Sequence, residues 1–504
     1  MDDQMGMQQW IAQSEQGIES LNLGVEGVLE WAQRYLRSLE DRSVCPPAVW
    51  GGLLNHMDAA PPERGVGIGA IQSLIDEADE EFMDRLVHWG SPRFFAYFPC
   101  SNSVPAILGE LMSAVVNVNG MLWSTSPACT ELEVRMMDWC AEMFGLDDGF
   151  RFDRSEKGGG CIQGTASEAV LAAVVAARRR CTRRGIDRSL VTVYTSDQAH
   201  SSVVKAAMVA GLADDAEDRS RVRVLETDAD LRIDPRNLER LMRQDLDAGL
   251  VPALVVPTIG TTSTGARDPI EGIMDVVESF GDDRAWVHVD AAWAGAACVC
   301  PEFQGLLSGA ERADSLCINP HKWLLTNFDC DLFWVRDREV LVDSMSITPA
   351  YLRDKASENG GGVIDYRDWH VALGRRMRAL KLWFVIRCFG VEGLREHIRG
   401  HVELAERFER WVDSDDRVEL VCERMLGLVC FRVVGGSALT KGLVDAVNGR
   451  GRVMITHSVV PIGQERAGES IARVSVGTPG VQESDIEVLI EEIGVGLDRV
   501  LMGN

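Results

Sequence analysis

The chain has 504 residues, 46% hydrophobic and 25% charged, which is enough for a large core and more than one structural unit. Its 77 acidic and 51 basic side chains leave a net charge of -26, a balance that repels nucleic acid and anionic membrane surfaces, so neither partner is expected. The start Met1-Asp2-Asp3-Gln4 lacks a secretory pattern, and the most apolar helical run, residues 169–177, is far shorter than the ~20 residues of a membrane span.

In chain order, amphipathic helical patterns occupy residues 24–39 and 71–89, separated by a Pro- and Gly-bearing stretch at 45–69. The run Gly65-x-Gly67-x-Gly69 within it is a loop, since no apolar strand precedes it. From about 100 to 380, β-rich runs at 161–163, 190–194, 221–225, 253–256, 286–289 and 315–318 alternate with helical segments. These include 167–180 and 235–247, the second with Asp234 as N-cap and proline at its first position. That rhythm implies an α/β fold with a mostly parallel sheet covered by helices. A helix at 378–388 leads into a last segment with strands near 418–422, 427–434 and 471–476, read as a smaller α+β domain. The expected boundaries are a helical segment 1–95, a large α/β domain 96–385 and a small domain 386–504.

Ligands of open parallel sheets gather at the carboxyl ends of the strands, and the chemically suggestive residues fall there. Lys322 follows the strand 315–318 among bulky and apolar neighbours, where an amine can acquire the lowered proton affinity that a Schiff base requires. Asp290 ends the strand before Ala291-Ala292; it either caps the following turn or pairs with a pyridinium nitrogen, with Ala292 leaving room for a flat ring. Gly164-Thr165-Ala166-Ser167 opens a helix and reads equally as a plain N-cap or as an anion site. His200 is either a structural histidine or a residue stacked on a ring. Tyr351, in the Gly-rich loop 348–362, either delivers a proton when the loop closes or merely anchors it.

Two metal signals are weighed and set aside. His397 and His401 stand at i, i+4 on a helix without a third ligand, and are read as surface-helix residues. Cys298 and Cys300 alternate on a strand end and are read as packing. The thirteen cysteines include no C-x-x-C pair and read as reduced cytosolic thiols, so a cytoplasmic protein is expected.

Together these segments resemble the group II pyridoxal-phosphate decarboxylases, and within them the aromatic-L-amino-acid decarboxylases, from about residue 25 to the end. The resemblance rests on His88-Trp89-x-Ser-Pro92-x-Phe94-Phe95-Ala96-Tyr97-Phe98-Pro99, Ser126-Pro127-Ala128-Cys129-Thr130-Glu131-Leu132-Glu133 and Gln163-Gly164-Thr165-Ala166-Ser167-Glu168-Ala169. Asp197-Gln198-Ala199-His200-Ser201-Ser202, His288-Val289-Asp290-Ala291-Ala292, Asn319-Pro320-His321-Lys322-Trp323 and Gly374-Arg375-Arg376 complete it. It implies the aspartate-aminotransferase-like fold type I of PLP-dependent transferases and a homodimer across which the N-terminal segment packs. It also implies a Schiff base between pyridoxal 5'-phosphate and Lys322, a ring-nitrogen contact from Asp290, and ring stacking by His200 with Ala292 opposite. Phosphate contacts fall on Thr165, Ala166, Ser167, Asn319 and His321, with Gly374 approaching from a partner subunit and Thr262 near the lysine. Substrate-pocket positions fall on Trp89, Tyr97, Phe98 and Pro99.

Tyr351 matches the loop tyrosine that the family's decarboxylases use as proton donor, where related aldehyde synthases tend to carry phenylalanine. Asn119 and Met121 depart from the aliphatic and aromatic residues of animal members, and the adaptable methionine leaves room for an indole ring. The resemblance therefore implies an aromatic-amino-acid carboxy-lyase with tryptophan favoured. Phenylalanine, tyrosine, DOPA or valine decarboxylation, or oxidative aldehyde synthesis, is the alternative. Borohydride reduction of the cofactor-loaded protein should leave a peptide carrying the cofactor on Lys322, read by mass spectrometry; an unmodified Lys322 would contradict the assignment.

Overall fold

The computed structural model describes residues 15–347, 363–460 and 467–502. Short runs rich in Val, Ile and aromatic residues form seven strands, most of them buried along their whole length. They are β1 (Gly159–Gln163), β2 (Val191–Ser196), β3 (Val222–Leu225), β4 (Val251–Val256), β5 (Trp286–Asp290), β6 (Ser315–Ile318) and β7 (Asp331–Val335). Their order in the sheet is β1-β7-β6-β5-β4-β2-β3. Neighbours from β6 through β3 pair in parallel, while β7 runs antiparallel to both β6 and β1. The expected mostly parallel sheet is present. Strand β7 was not among the expected strands, because its five residues carry no alternation and no flanking hairpin signal.

The period-two alternation of the strands sends successive side chains to two separate helical layers. Val255, Val289, Leu316, Leu332 and Trp334 meet Met136, Met137, Cys140 and Phe144 of the helix Pro127–Phe144. Leu254, Cys317, Phe333 and Val193 meet Ala169, Val170, Ala172 and Ala177 of the helix Ala166–Arg183, whose small residues let it lie close to the sheet. The helix Pro235–Asp247 begins as expected, with Pro235 at its first position and the Asp234 side chain accepting the Arg236 N–H at 2.9 Å.

A second, antiparallel sheet has the order β10-β11-β9-β8, from β8 (Val418–Leu420), β9 (Leu428–Val433), β10 (Thr456–Val459) and β11 (Ser470–Ser475). Both sheets belong to one compact unit, Phe95–Lys441 with Thr456–Val481. The other unit contains Met1–Phe94, Gly442–Ile455 and Gln482–Asn504. In it the helices Glu15–Ser38 and Ile71–Phe82 pack together, and Phe94 bridges Met454 in parallel. The second helix stops at Phe82 and tightens into a 3-10 turn at Met83–Arg85, short of residue 89.

Two readings of the sequence change. Cys298 is buried on a 3-10 helix, Ala294–Val299, with Cys300 just beyond it, so no strand end presents the pair. His397 lies partly covered and His401 buried within the helix Arg378–Ser414, rather than on its solvent face. No group able to hold a metal ion occurs among the described residues.

Arg375 ties the sheet to the segment before that helix. Its guanidinium forks onto Glu133 at 2.6 and 3.1 Å, both side chains being 1% exposed, and donates to the Ile162 carbonyl at 2.9 Å. Glu133 in turn accepts the Ile162 N–H at 2.8 Å, so one carboxylate serves both a cation and the sheet backbone. Removing one member of such a pair strands the other charge in a dry interior. Glu133→Ala should therefore lower unfolding stability by about 3–5 kcal/mol, measured by denaturant titration.

Candidate active site

Strands β1, β2, β4, β5 and β6 end on the same side of the large sheet, and the loop after each delivers polar residues there. They surround a cleft of about 200 Å³ lined by Thr165, Ala166, Ser167, His200, Thr258, Gly260, Thr262, Asp290, Ala292, Asn319, His321 and Lys322, with Phe98, Trp293 and Phe328 as aromatic walls. Every residue assigned from the sequence to the lysine, the ring and the phosphate lines this cleft, except Gly374 and Tyr351. Tyr351 lies outside the described residues.

Lys322 stands on the single helical turn Pro320–Trp323 directly after β6. The turn is fixed from both ends: Asn319 N–H donates to the Ala292 carbonyl at 2.9 Å, and Ser101 N–H to the His321 carbonyl at 2.8 Å. The Lys322 ammonium lies 5.6 Å from the centre of the Phe98 ring. Asp290 is 4% exposed, and one of its carboxylate oxygens accepts the Ala292 N–H at 3.1 Å. That contact is the turn cap expected of an isolated Asp, and Asp290 also lines the cleft.

His200 Nδ1 accepts the Ser202 N–H at 3.2 Å and meets the Ser202 hydroxyl at 2.8 Å, which puts the ring proton on Nε2. Desolvation pulls its proton affinity below the ordinary histidine value, Asp290 opposes the shift and Lys322 adds to it. The ring is thus neutral and flat, as a stacking partner requires. His321 is lowered to about 4, chiefly by burial and then by Lys322, and its Nδ1 lies 2.7 Å from the Cys330 carbonyl oxygen and 3.0 Å from the Cys330 nitrogen.

The helix Ala166–Arg183 carries no side-chain cap: Thr165 occupies the N-cap position with extended backbone, and its hydroxyl is not spent on the helix. The free N–H groups of the first turn and the hydroxyls of Thr165 and Ser167 can therefore receive an anion. A Cβ at Gly164 would stand 2.9 Å from the Glu168 carboxylate that accepts the Gly164 N–H, so a larger residue there would have to displace that carboxylate. The Asn319 side-chain oxygen is buried without a hydrogen-bond partner, an amide end still to be satisfied. A primary amine, a buried carboxylate, a flat neutral imidazole and an uncapped helix start match the aldehyde, ring nitrogen, ring face and phosphate of pyridoxal phosphate.

The substrate-pocket residues divide. Phe98 lines the cleft, whereas Tyr97, Pro99, Asn119, Met121 and Gly374 do not. Trp89 belongs to the unit that contains residues 1–94, with its ring 4.5 Å from that of Phe94. Asn119, Met121 and Gly374 come together at an exposed place of their own: Arg375 N–H donates to Asn119 Oδ1 at 3.0 Å, and Asn119 Nδ2 lies 3.6 Å from the Met121 sulfur. The sequence reading missed Thr258, Gly260, Trp293 and Phe328. The first two follow β4 at its carboxyl end, a position that could have flagged them, as could Trp293 just after Ala292.

Residues 55–434 match the pyridoxal-dependent decarboxylase conserved domain. The chain is 39% identical to tryptophan decarboxylase 2 of Oryza sativa subsp. japonica over 91% of each, and 38% identical to phenylacetaldehyde synthase of Arabidopsis thaliana over 91% of this chain and 92% of that one. It superposes on the crystal structure of Oryza sativa TDC with PLP and tryptamine at a TM-score of 0.90 and 37% identity, covering 97% of this chain and all of that one. Asp290→Asn should keep the fold but lower turnover on the order of 100-fold and weaken cofactor retention, measured by steady-state kinetics and by cofactor loss on dialysis. With the fold of type I and the lysine-centred cleft in place, the chain belongs to the pyridoxal-dependent decarboxylases and is a PLP-dependent carboxy-lyase.

Proposed function

We propose that this enzyme converts an aromatic L-amino acid, tryptophan first, to its amine and CO2 as a cytoplasmic homodimer. The observation that carries the reading is the aromatic lining of the lysine cleft: Phe98, Trp293 and Phe328 stand beside Lys322, and among the described residues no arginine lines it to hold an acidic side chain. The similarity to a tryptophan decarboxylase over nine-tenths of both chains supports it.

When bound, pyridoxal phosphate supplies the electron sink for the bond to the departing carboxylate. The remaining work is the chain's. Lys322 would hold the cofactor through its amine, and Asp290 would hold a proton at the ring nitrogen. His200 and Ala292 would flank the ring, and the helix start at Thr165 to Ser167 would receive the phosphate. Tyr351 returns a proton to the substrate carbon, an assignment carried from the sequence.

Dimerisation is supported by surfaces of the single chain. The helix Val104–Val116 exposes Val104, Ile107, Leu111, Met112, Val115 and Val116, the last two at 66% and 61%, an apolar face that a monomer would leave in water. Asn119, Met121 and Gly374 are gathered away from their own cleft, as expected of residues that complete the site of a partner subunit. A reducing compartment suits the thirteen free thiols.

The phenylacetaldehyde synthase relative keeps oxidative deamination as the second reading. CO2 release across tryptophan, 5-hydroxytryptophan, phenylalanine, tyrosine, DOPA and valine, with product identification, tests both. The expected outcome is the highest kcat/KM for tryptophan with amine as product. Stoichiometric aldehyde, ammonia and peroxide would replace the first reading by the second, and preference for valine would overturn both.

A further inference from the structure

The histidine pair at i, i+4 has no metal to hold and no part in the cleft, yet both rings face the residue that follows the lysine. His401 Nδ1 accepts the indole N–H of Trp323 at 2.8 Å, with the two rings 7° from parallel. The His397 ring lies 4.3 Å from that of His401. One turn of the helix Arg378–Ser414 thus carries both the acceptor of the Trp323 indole N–H and the ring packed against it.

From Trp323 a column of rings leads back to the cleft. Trp293 lies 5.3 Å away at 22°, Phe98 lies 4.4 Å beyond it at 22°, and the Lys322 ammonium stands 5.6 Å from the Phe98 centre. The circuit closes on itself, because Lys322 and Trp323 are consecutive. There is little slack: a Cβ on Gly427 or on Gly477 would each stand 3.2 Å from the Trp323 indole.

We propose that His401 is a positioning residue for the decarboxylation, acting through the Trp323 indole to hold Lys322 and the Phe98 wall in register. It rests on the reading of Lys322 as the cofactor lysine. Deep burial, with His397 adding to it, keeps the His401 ring neutral, so the Nδ1 lone pair stays available to the indole. Without that acceptor the buried indole N–H is left unpaired, and the ring column can rotate to seek another partner.

The test uses the full-length cofactor-loaded enzyme, with turnover normalised to borohydride-trapped lysine. His401→Leu should lower kcat by about tenfold or more, leave KM within about twofold, and alter the absorption and circular dichroism of the lysine-linked cofactor. His401→Asn, whose amide oxygen can stand where Nδ1 does, should recover kcat to within about threefold of the parent. Trp323→Phe keeps the ring and removes the N–H; it should reproduce the loss, and combining it with His401→Leu should add little. If His401→Leu does not fold, Trp323→Phe against His401→Asn makes the same comparison. Wild-type kcat and cofactor spectra in the variants lacking the hydrogen bond, a loss that Asn does not restore, or full additivity would overturn the proposal. Failure of the parent enzyme to trap cofactor on Lys322 would instead sink the underlying reading.

Discussion

A carboxylate at the end of a buried strand is costly unless something balances it, and the cleft is organised around that cost at Asp290. Among the described residues the Ala292 N–H and, more distantly, the Cys317 thiol donate to it, and Lys322 lines the same cleft. A ring nitrogen that carries a proton is the kind of group such a carboxylate lacks. The loop after β5, the small residues at 291 and 292, and the turn that presents Lys322 are consequences of holding that carboxylate still while leaving its approach open.

A second acid sharpens the same constraint. Asp331, where β7 begins, is fully buried and neither of its oxygens has a hydrogen-bond partner. Burial drives its proton affinity well above the ordinary carboxylate value, and Asp290 adds to the shift while Lys322 opposes it. Asp331 therefore keeps its proton, whereas Asp290 is the acid with a backbone donor and a face on the cleft.

Much of the site was legible because it sits in loops at strand ends, where residue type follows chemistry more than packing. Lys322, Asp290, His200, Thr165 and Ser167 are near one another only because β1, β2, β5 and β6 end on one side of one sheet, and the α/β rhythm of the sequence already implied that geometry. The helical pair His397 and His401 was misjudged for the opposite reason. Helical spacing says that two side chains share a face but not what covers that face, and Trp323, more than seventy residues earlier, does so.

By itself the sequence determined the alternation of strands and helices, the N-cap of the helix Pro235–Asp247, and the residues able to bind an amine, a ring nitrogen and an anion. Those are local properties, set by periodicity, turn chemistry and functional groups. Tertiary structure alone decided that β7 enters antiparallel between β1 and β6, that Trp293 and Phe328 wall the cleft, and that Asn119, Met121 and Gly374 gather outside it. Each of these depends on pairing between distant segments, which one-dimensional patterning does not encode. The chemistry could be read along the chain, but the shape of the pocket beside Lys322 had to be folded.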